Sequence, residues 1–130
     1  MIKTTQEIEN YIFPLSKLLN LENEPKWVIL RFMANISLSL NEGFEELEVS
    51  LYDGRDYRLE QITGKDKIDE DYTKLYQDMI EAFNNISISN TKELEDNLQQ
   101  HIIRGYTILK TSLKHDSNIF EFIGQEFFNK

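Results

Sequence analysis

The chain has 130 residues, 40% of them apolar and 28% charged, and we expect residues 1–130 to form a single folded domain. It contains no cysteine, which excludes disulfides, thiolate metal sites and a cysteine nucleophile. The net charge of −9 has the wrong sign for a protein that binds phosphates over its whole surface. Without a membrane-length apolar stretch or a secretion signal, we expect a cytoplasmic protein.

The negative charge is concentrated in the middle of the chain. Residues 42–96 carry six basic and sixteen acidic residues, whereas residues 1–41 are neutral overall and residues 97–130 have a net charge of +1. Between Asn97 and His115 there is no acidic residue at all. This distribution permits a locally basic face on an acidic protein.

Two helices are predicted in the first third of the chain. Apolar residues recur at spacings of three and four after Thr5, and we expect Pro14 to kink or break the resulting helix. Pro25 suits the first turn of a second helix, which we expect to reach about Leu40 and to end at residues 41–43. This second helix is apolar on nearly every side, which predicts burial in the core or between subunits.

Residues 47–60 alternate as half-buried strands do, and Asp53–Gly54 between the two alternating runs indicates a short β-hairpin. A loop of three residues places Leu51 opposite Tyr57 and Val49 opposite Leu59, on one face. We therefore expect a mainly α-helical fold that includes one small hairpin.

Two more helices and a short tail helix complete the prediction. Acidic residues at 69–71 precede an amphipathic helix, and residues 90–93 resemble a capping box that opens the longest helix. Gly105 lies in the middle of this helix, where glycine costs about 1 kcal/mol relative to alanine, so we expect a close backbone contact there. Residues 117–128, with four phenylalanines, predict a short helix that docks on another surface.

The sequence gives little support for catalysis. Its five glycines form no phosphate-binding loop, and its two histidines lack partners at metal-binding spacing. Carboxylate pairs such as Asp53 with Asp56 are explained by turns and helix caps without a bound cation. Ser37 and Ser39 lie in an apolar helix with no plausible base nearby. We expect no enzymatic activity, no metal and no cofactor.

His101 and Arg104 stand three residues apart and therefore on adjacent turns of one helix face. Such a pair can hold a phosphate oxygen, or it can bind an acid of the hairpin or of a neighbouring subunit. The acidic middle of the chain favours the ion pair. The candidate nucleic-acid-binding residues are Lys17, Lys26, Arg31, His101, Arg104, Lys110 and Lys114.

Four short blocks in order carry a family resemblance. They are Pro25 with Leu30-Arg31 and residues 37–42, Asp53-Gly54 with residues 59–64, Tyr72, and residues 101–105 (His-Ile-Ile-Arg-Gly) with Leu109. Together they span about residues 25–110. The sequence resembles the DndE family of bacterial DNA phosphorothioation, in which sulfur replaces a non-bridging oxygen of the DNA backbone.

The resemblance implies a small helical accessory subunit, related to ribbon-helix-helix proteins, that forms a tetramer and binds DNA with a preference for nicked duplex. It also implies partners: a cysteine desulfurase, an iron-sulfur protein and an ATPase. A non-catalytic, oligomeric accessory subunit is the leading hypothesis. Net charge favours an alternative, a protein-interaction adaptor that does not contact DNA. A metal-dependent hydrolase or nuclease that uses the carboxylates is a third class.

Overall fold

The protein is described here from a computed structural model, in which residues 1–64 and 71–113 are placed. These residues form five helices and two short strands. In chain order they are β1 (Ile2–Lys3), α1 (Gln6–Leu18), α2 (Lys26–Ser39), β2 (Asp56–Tyr57), α3 (Leu59–Thr63), α4 (Thr73–Asn84) and α5 (Thr91–Ser112). The mainly helical prediction is confirmed. The predicted tail helix and Lys114 lie outside the described residues.

Helix α2 occupies the centre of the core and packs chiefly against α5. Leu30, Met33 and Ala34 are completely buried and belong to the same core cluster as Leu98 and Ile102 of α5. The apolar character of α2 is therefore explained by burial within its own chain, which is the first of the two predicted alternatives. A second copy is not needed to cover these side chains.

The backbones of α2 and α5 touch at Gly105. A Cβ atom added to Gly105 would lie 1.8 Å from the carbonyl oxygen of Met33 and 2.5 Å from its carbonyl carbon. Only a residue without a side chain fits at this distance. The close backbone contact expected from a glycine in mid-helix is confirmed.

The two strands form an antiparallel pair that the sequence did not predict. Ile2 lies opposite Tyr57 and Lys3 opposite Asp56, and the pairing continues as the Thr4 amide donates to the carbonyl oxygen of Arg55 at 3.0 Å. The predicted hairpin within residues 47–60 is wrong. Residues 47–52 form no strand, because the start of the chain supplies the partner of β2, and Leu59 already begins α3.

Helix ends follow the residue types that mark them. Helix α1 runs unbroken through Pro14, so the alternative of a break at that proline is wrong. Pro25 occupies the N-cap of α2, and the Asn90 side chain caps α5 by accepting from the Glu93 amide at 2.9 Å. Asn41 adopts a left-handed conformation (φ 56°) just after α2, which ends the helix where expected.

None of the described helices is both long enough and apolar enough to cross a bilayer.

Candidate functional site

His101 lies at the centre of a buried polar network. Its side chain is fully buried, with Nδ1 2.8 Å from the hydroxyl oxygen of Ser37 and Nε2 3.1 Å from the Asn84 side-chain oxygen. Because that amide oxygen only accepts, Nε2 carries the proton and the Ser37 hydroxyl donates to Nδ1. The ring of Phe44 packs edge-on against the imidazole, with the centroids 4.9 Å apart. The network connects α2, α4 and α5.

Burial, and after it the nearby Arg104 guanidinium, lowers the pKa of His101 from 6.5 to about 4. The imidazole is therefore neutral at physiological pH, and both ring nitrogens are already hydrogen-bonded within the fold. His101 presents no surface to a ligand. Although His101 and Arg104 lie on one helix face, they do not provide two solvent-accessible hydrogen-bond donors, because the imidazole is buried.

Arg104 reaches the segment that follows α2. Its guanidinium donates to the Glu42 carboxylate at 2.8 Å and to the Glu42 carbonyl oxygen at 3.2 Å, and it lies over the Phe44 ring at 4.6 Å. The Arg104 side chain is only 15% exposed. Pairing within the chain, the alternative that the acidic middle favoured, is what the structure shows.

Lys110 and Lys17 are exposed but lie on separate parts of the molecule. The Lys110 amine is 3.9 Å from the Glu7 carboxylate and 5.5 Å from the centre of the Tyr106 ring. The Lys17 amine lies over the Phe13 ring at 4.7 Å, near the end of α1. In the contacts of the described residues, neither amine is paired with a second candidate cation around one anion-binding position.

Arg31 is held between aromatic rings on the other side of α2. Its guanidinium lies 4.7 Å from the centre of the Trp27 ring and 5.7 Å from that of Tyr72, and Nε donates to the Ile62 carbonyl oxygen at 2.7 Å. The buried Nη2 has no hydrogen-bond partner among the described residues. These contacts position Arg31 as a link between α2, α3 and α4.

Lys26 belongs to a cluster that the sequence analysis missed. Its amine is 3.3 Å from Glu9, a carboxylate that is only 5% exposed, and Arg55 lies 3.8 Å from the same oxygen. Glu9 also accepts from the Tyr57 hydroxyl at 2.9 Å and from the Thr4 hydroxyl at 2.6 Å. Arg55 had been assigned to a hairpin loop, so nothing in the local pattern indicated that it meets Lys26.

Lys26 and Arg55 line a surface depression of about 510 Å³, together with Asp56, Tyr57 and Gln61. Of five depressions compared on the described part of the chain, this one alone has two cations in its lining. Of the sequence candidates that the structure describes, only Lys26 contributes to it. The neighbouring Glu9 already offsets part of its positive charge.

Among the described residues, no group of three or more histidine, aspartate or glutamate side chains comes together as a metal site requires.

Comparison with known proteins identifies the family. Searches of curated proteins and of solved structures give no significant match. A family model described as DNA sulphur modification protein DndE matches residues 1–117, which include every element described above. The chain belongs to the DndE family and has a role in DNA sulphur modification.

Proposed function

We propose that this chain is a non-catalytic accessory subunit of the DNA phosphorothioation machinery that acts by holding partner proteins. The observation that supports this role is that several cations of the chain already contact groups of the same chain. Arg104, Lys26 and Arg55 are each bound to a carboxylate of the chain itself, and Arg31 is enclosed by aromatic rings. These four described cations are already engaged within the chain, while the acidic surface suits protein contacts.

The role is tested by deleting the chromosomal gene and measuring sulfur in the DNA backbone. Loss of the modification, restored by the wild-type gene, is the expected result. Undiminished modification contradicts the proposal. The assembly is tested by co-purification, in which the chain is expected to retain a protein subunit of the same pathway, such as the ATPase or the iron-sulfur protein, after nuclease treatment.

Self-association is part of the proposed role, and an exposed apolar surface on α4 supports it. Tyr72 and Leu75 are 40% and 54% exposed, and Ile86, just after the helix, is 40% exposed. Side chains of this size that remain in water favour a protein contact. The solution mass of the wild type is expected to exceed that of one chain, and Leu75→Gln is expected to lower it. Phe13→Gln, at an equally exposed position on α1, is the control.

Binding to DNA is the second candidate, and the depression lined by Lys26 and Arg55 favours it. The test is a salt titration with intact and nicked duplex, since phosphate contacts make affinity fall as salt rises. Lys26→Gln combined with Arg55→Gln is expected to weaken such binding about tenfold at low salt. Lys74→Gln with Lys92→Gln removes two lysines that pair with acids on their own helices, and is the matched control. If no binding is measurable, the DNA-binding candidate is rejected, and the role of binding partner proteins is the one that remains.

A further inference from the structure

The segment between α2 and β2 contains backbone groups that nothing in the described structure satisfies. Within residues 44–52, only Leu47 has hydrogen-bonded backbone groups: its amide donates to the Gln100 side-chain oxygen at 2.7 Å, and its carbonyl accepts from the same side chain at 3.3 Å. The backbone groups of residues 48–52 form no hydrogen bond to the described residues. Such an unpaired run is able to accept a strand from another chain.

The side chains of residues 47–50 alternate between two directions. Leu47 and Val49 are half-buried against the core, whereas Glu48 and Ser50 point into solvent. The inward residues fix the segment on the body of the protein. The outward residues and the free backbone groups are presented together, as they are in an edge strand.

Three adjoining depressions follow the segment. The central one, of about 700 Å³, is lined by residues 46–50 and Tyr52. It shares Glu46 with a depression of about 350 Å³ towards Asp96, and it shares Glu48 with one of about 440 Å³ towards Glu7. The three lie along the same segment and share lining residues, and we call them together the 44–52 groove.

The 44–52 groove is acidic, and only part of its charge is compensated, since Lys92 pairs with Asp96 and Lys110 lies 3.9 Å from Glu7. Its walls carry five acidic side chains and, in the part of the chain that is described, no lysine or arginine; the acids are Glu7, Glu46, Glu48, Asp53 and Asp96. Glu46 and Glu48 make no ion pair or hydrogen bond with any described residue, in contrast to Glu9 and Glu42. Free carboxylates beside free backbone groups are complementary to an extended, positively charged chain.

We infer that the 44–52 groove binds an extended peptide segment rich in lysine or arginine, which pairs with the backbone of residues 48–50, up to the bend at Ser50, and places its cations beside Glu46 and Glu48. This inference deepens the proposed function, because it specifies the kind of segment through which a partner protein is held. The inference is tested by peptide binding to the purified full chain, whereas the proposed role is tested by the sulfur content of DNA. A failure of the inference can therefore be distinguished from a failure of the proposed role.

The probe is a capped seven-residue peptide in which lysine alternates with valine, and binding is measured by calorimetry at low and high salt. We expect saturable binding that weakens as salt rises. Glu46→Gln combined with Glu48→Gln is expected to weaken it at least tenfold. The matched control, Glu22→Gln with Glu24→Gln, alters two exposed acids between α1 and α2 and is expected to bind as the wild type does.

A second peptide, N-methylated on alternate residues, retains the charge and removes the donors needed for strand pairing. We expect it to bind at least tenfold more weakly than the first. Absence of binding, equal binding by the Glu46/Glu48 variant, or equal binding of the methylated peptide overturns the inference. A lower solution mass for the Glu46/Glu48 variant also overturns it, since the groove is then occupied by a second copy.

Discussion

The α-carbon of Gly105 lies so close to Met33 that a methyl group attached to it would overlap the Met33 carbonyl oxygen. The methyl carbon and that oxygen would be only 1.8 Å apart. At an ordinary helical position, glycine to alanine stabilises by about 1 kcal/mol. Here the clash is with backbone, which does not yield, so we expect Gly105→Ala to destabilise the protein by about 3 kcal/mol. Urea denaturation measures it. Thr111→Ala, at an exposed site of the same helix, is the control, and equal midpoints for the two variants contradict the contact.

His101 makes stability depend on pH in a specific window. Its pKa is about 4 in the folded chain and near 6.5 when exposed, so the unfolded chain binds a proton there that the native state does not. Stability is therefore complete above about pH 7 and falls as the pH drops from about 6.5 to 4, by up to about 3 kcal/mol.

The measurement for His101 is urea unfolding of the wild type and of His101→Gln at pH 7 and pH 4.5. Because other groups also titrate, the informative quantity is the difference between the two proteins. We expect the wild type to lose more stability on acidification than the variant. Equal losses mean that the imidazole is not buried in its neutral form.

Glu9 connects the start of the chain to β2 and α2. Its carboxylate accepts from the hydroxyls of Thr4 and Tyr57 and lies near the amine of Lys26. Glu9→Gln leaves these donors with a weaker acceptor and removes the counter-charge, so we expect a loss of about 2 kcal/mol in urea unfolding.

Tyr57 provides a second measurement for the same variant. Burial raises the pKa of Tyr57, and the hydrogen bond to Glu9 raises it further. In Glu9→Gln the pKa of Tyr57 is expected to fall, as followed by absorbance at alkaline pH. Glu22→Gln, an exposed acid on the connection before α2, should change neither quantity. An unaltered Tyr57 titration in Glu9→Gln contradicts the contact.

The pair between Arg104 and Glu42 is expected to be stronger than an ordinary surface pair. Arg104 is only 15% exposed and also stacks on Phe44. A double-mutant cycle with Arg104→Gln and Glu42→Gln is expected to give a coupling energy of about 1 kcal/mol. The same cycle on Lys92 and Asp96, a solvent-exposed pair on α5, is expected to give about 0.4 kcal/mol. Equal couplings contradict the structural role of Arg104.

Local signals in the sequence were sufficient for the long helices. Pro25 and Asn90 mark the starts of α2 and α5, and Asn41 marks the end of α2, because each residue type has its own backbone or capping preference. Gly105 predicted a close contact because glycine is costly in a helix without such a reason.

The sheet and the site depended on contacts that no local pattern contains. A strand of two residues such as β2 is too short to show an alternation, and its partner lies at the other end of the first half of the chain. The same pairing brings Arg55 to Glu9 and Lys26. His101 and Arg104 were placed on one helix face, yet the spacing alone did not show that α2 and α4 enclose the histidine while Arg104 reaches Glu42.

The contact between Met33 and Gly105 also has a consequence during synthesis of the protein on the ribosome. Helix α2 leaves the exit tunnel early, but the helix that covers it is the last described element to be made. Until α5 has emerged, the apolar surface of α2 lacks its main cover and is open to aggregation or to chaperones. Nascent chains that stop before α5 are therefore expected to be protease-sensitive, and resistance should arise only once Gly105 has cleared the tunnel.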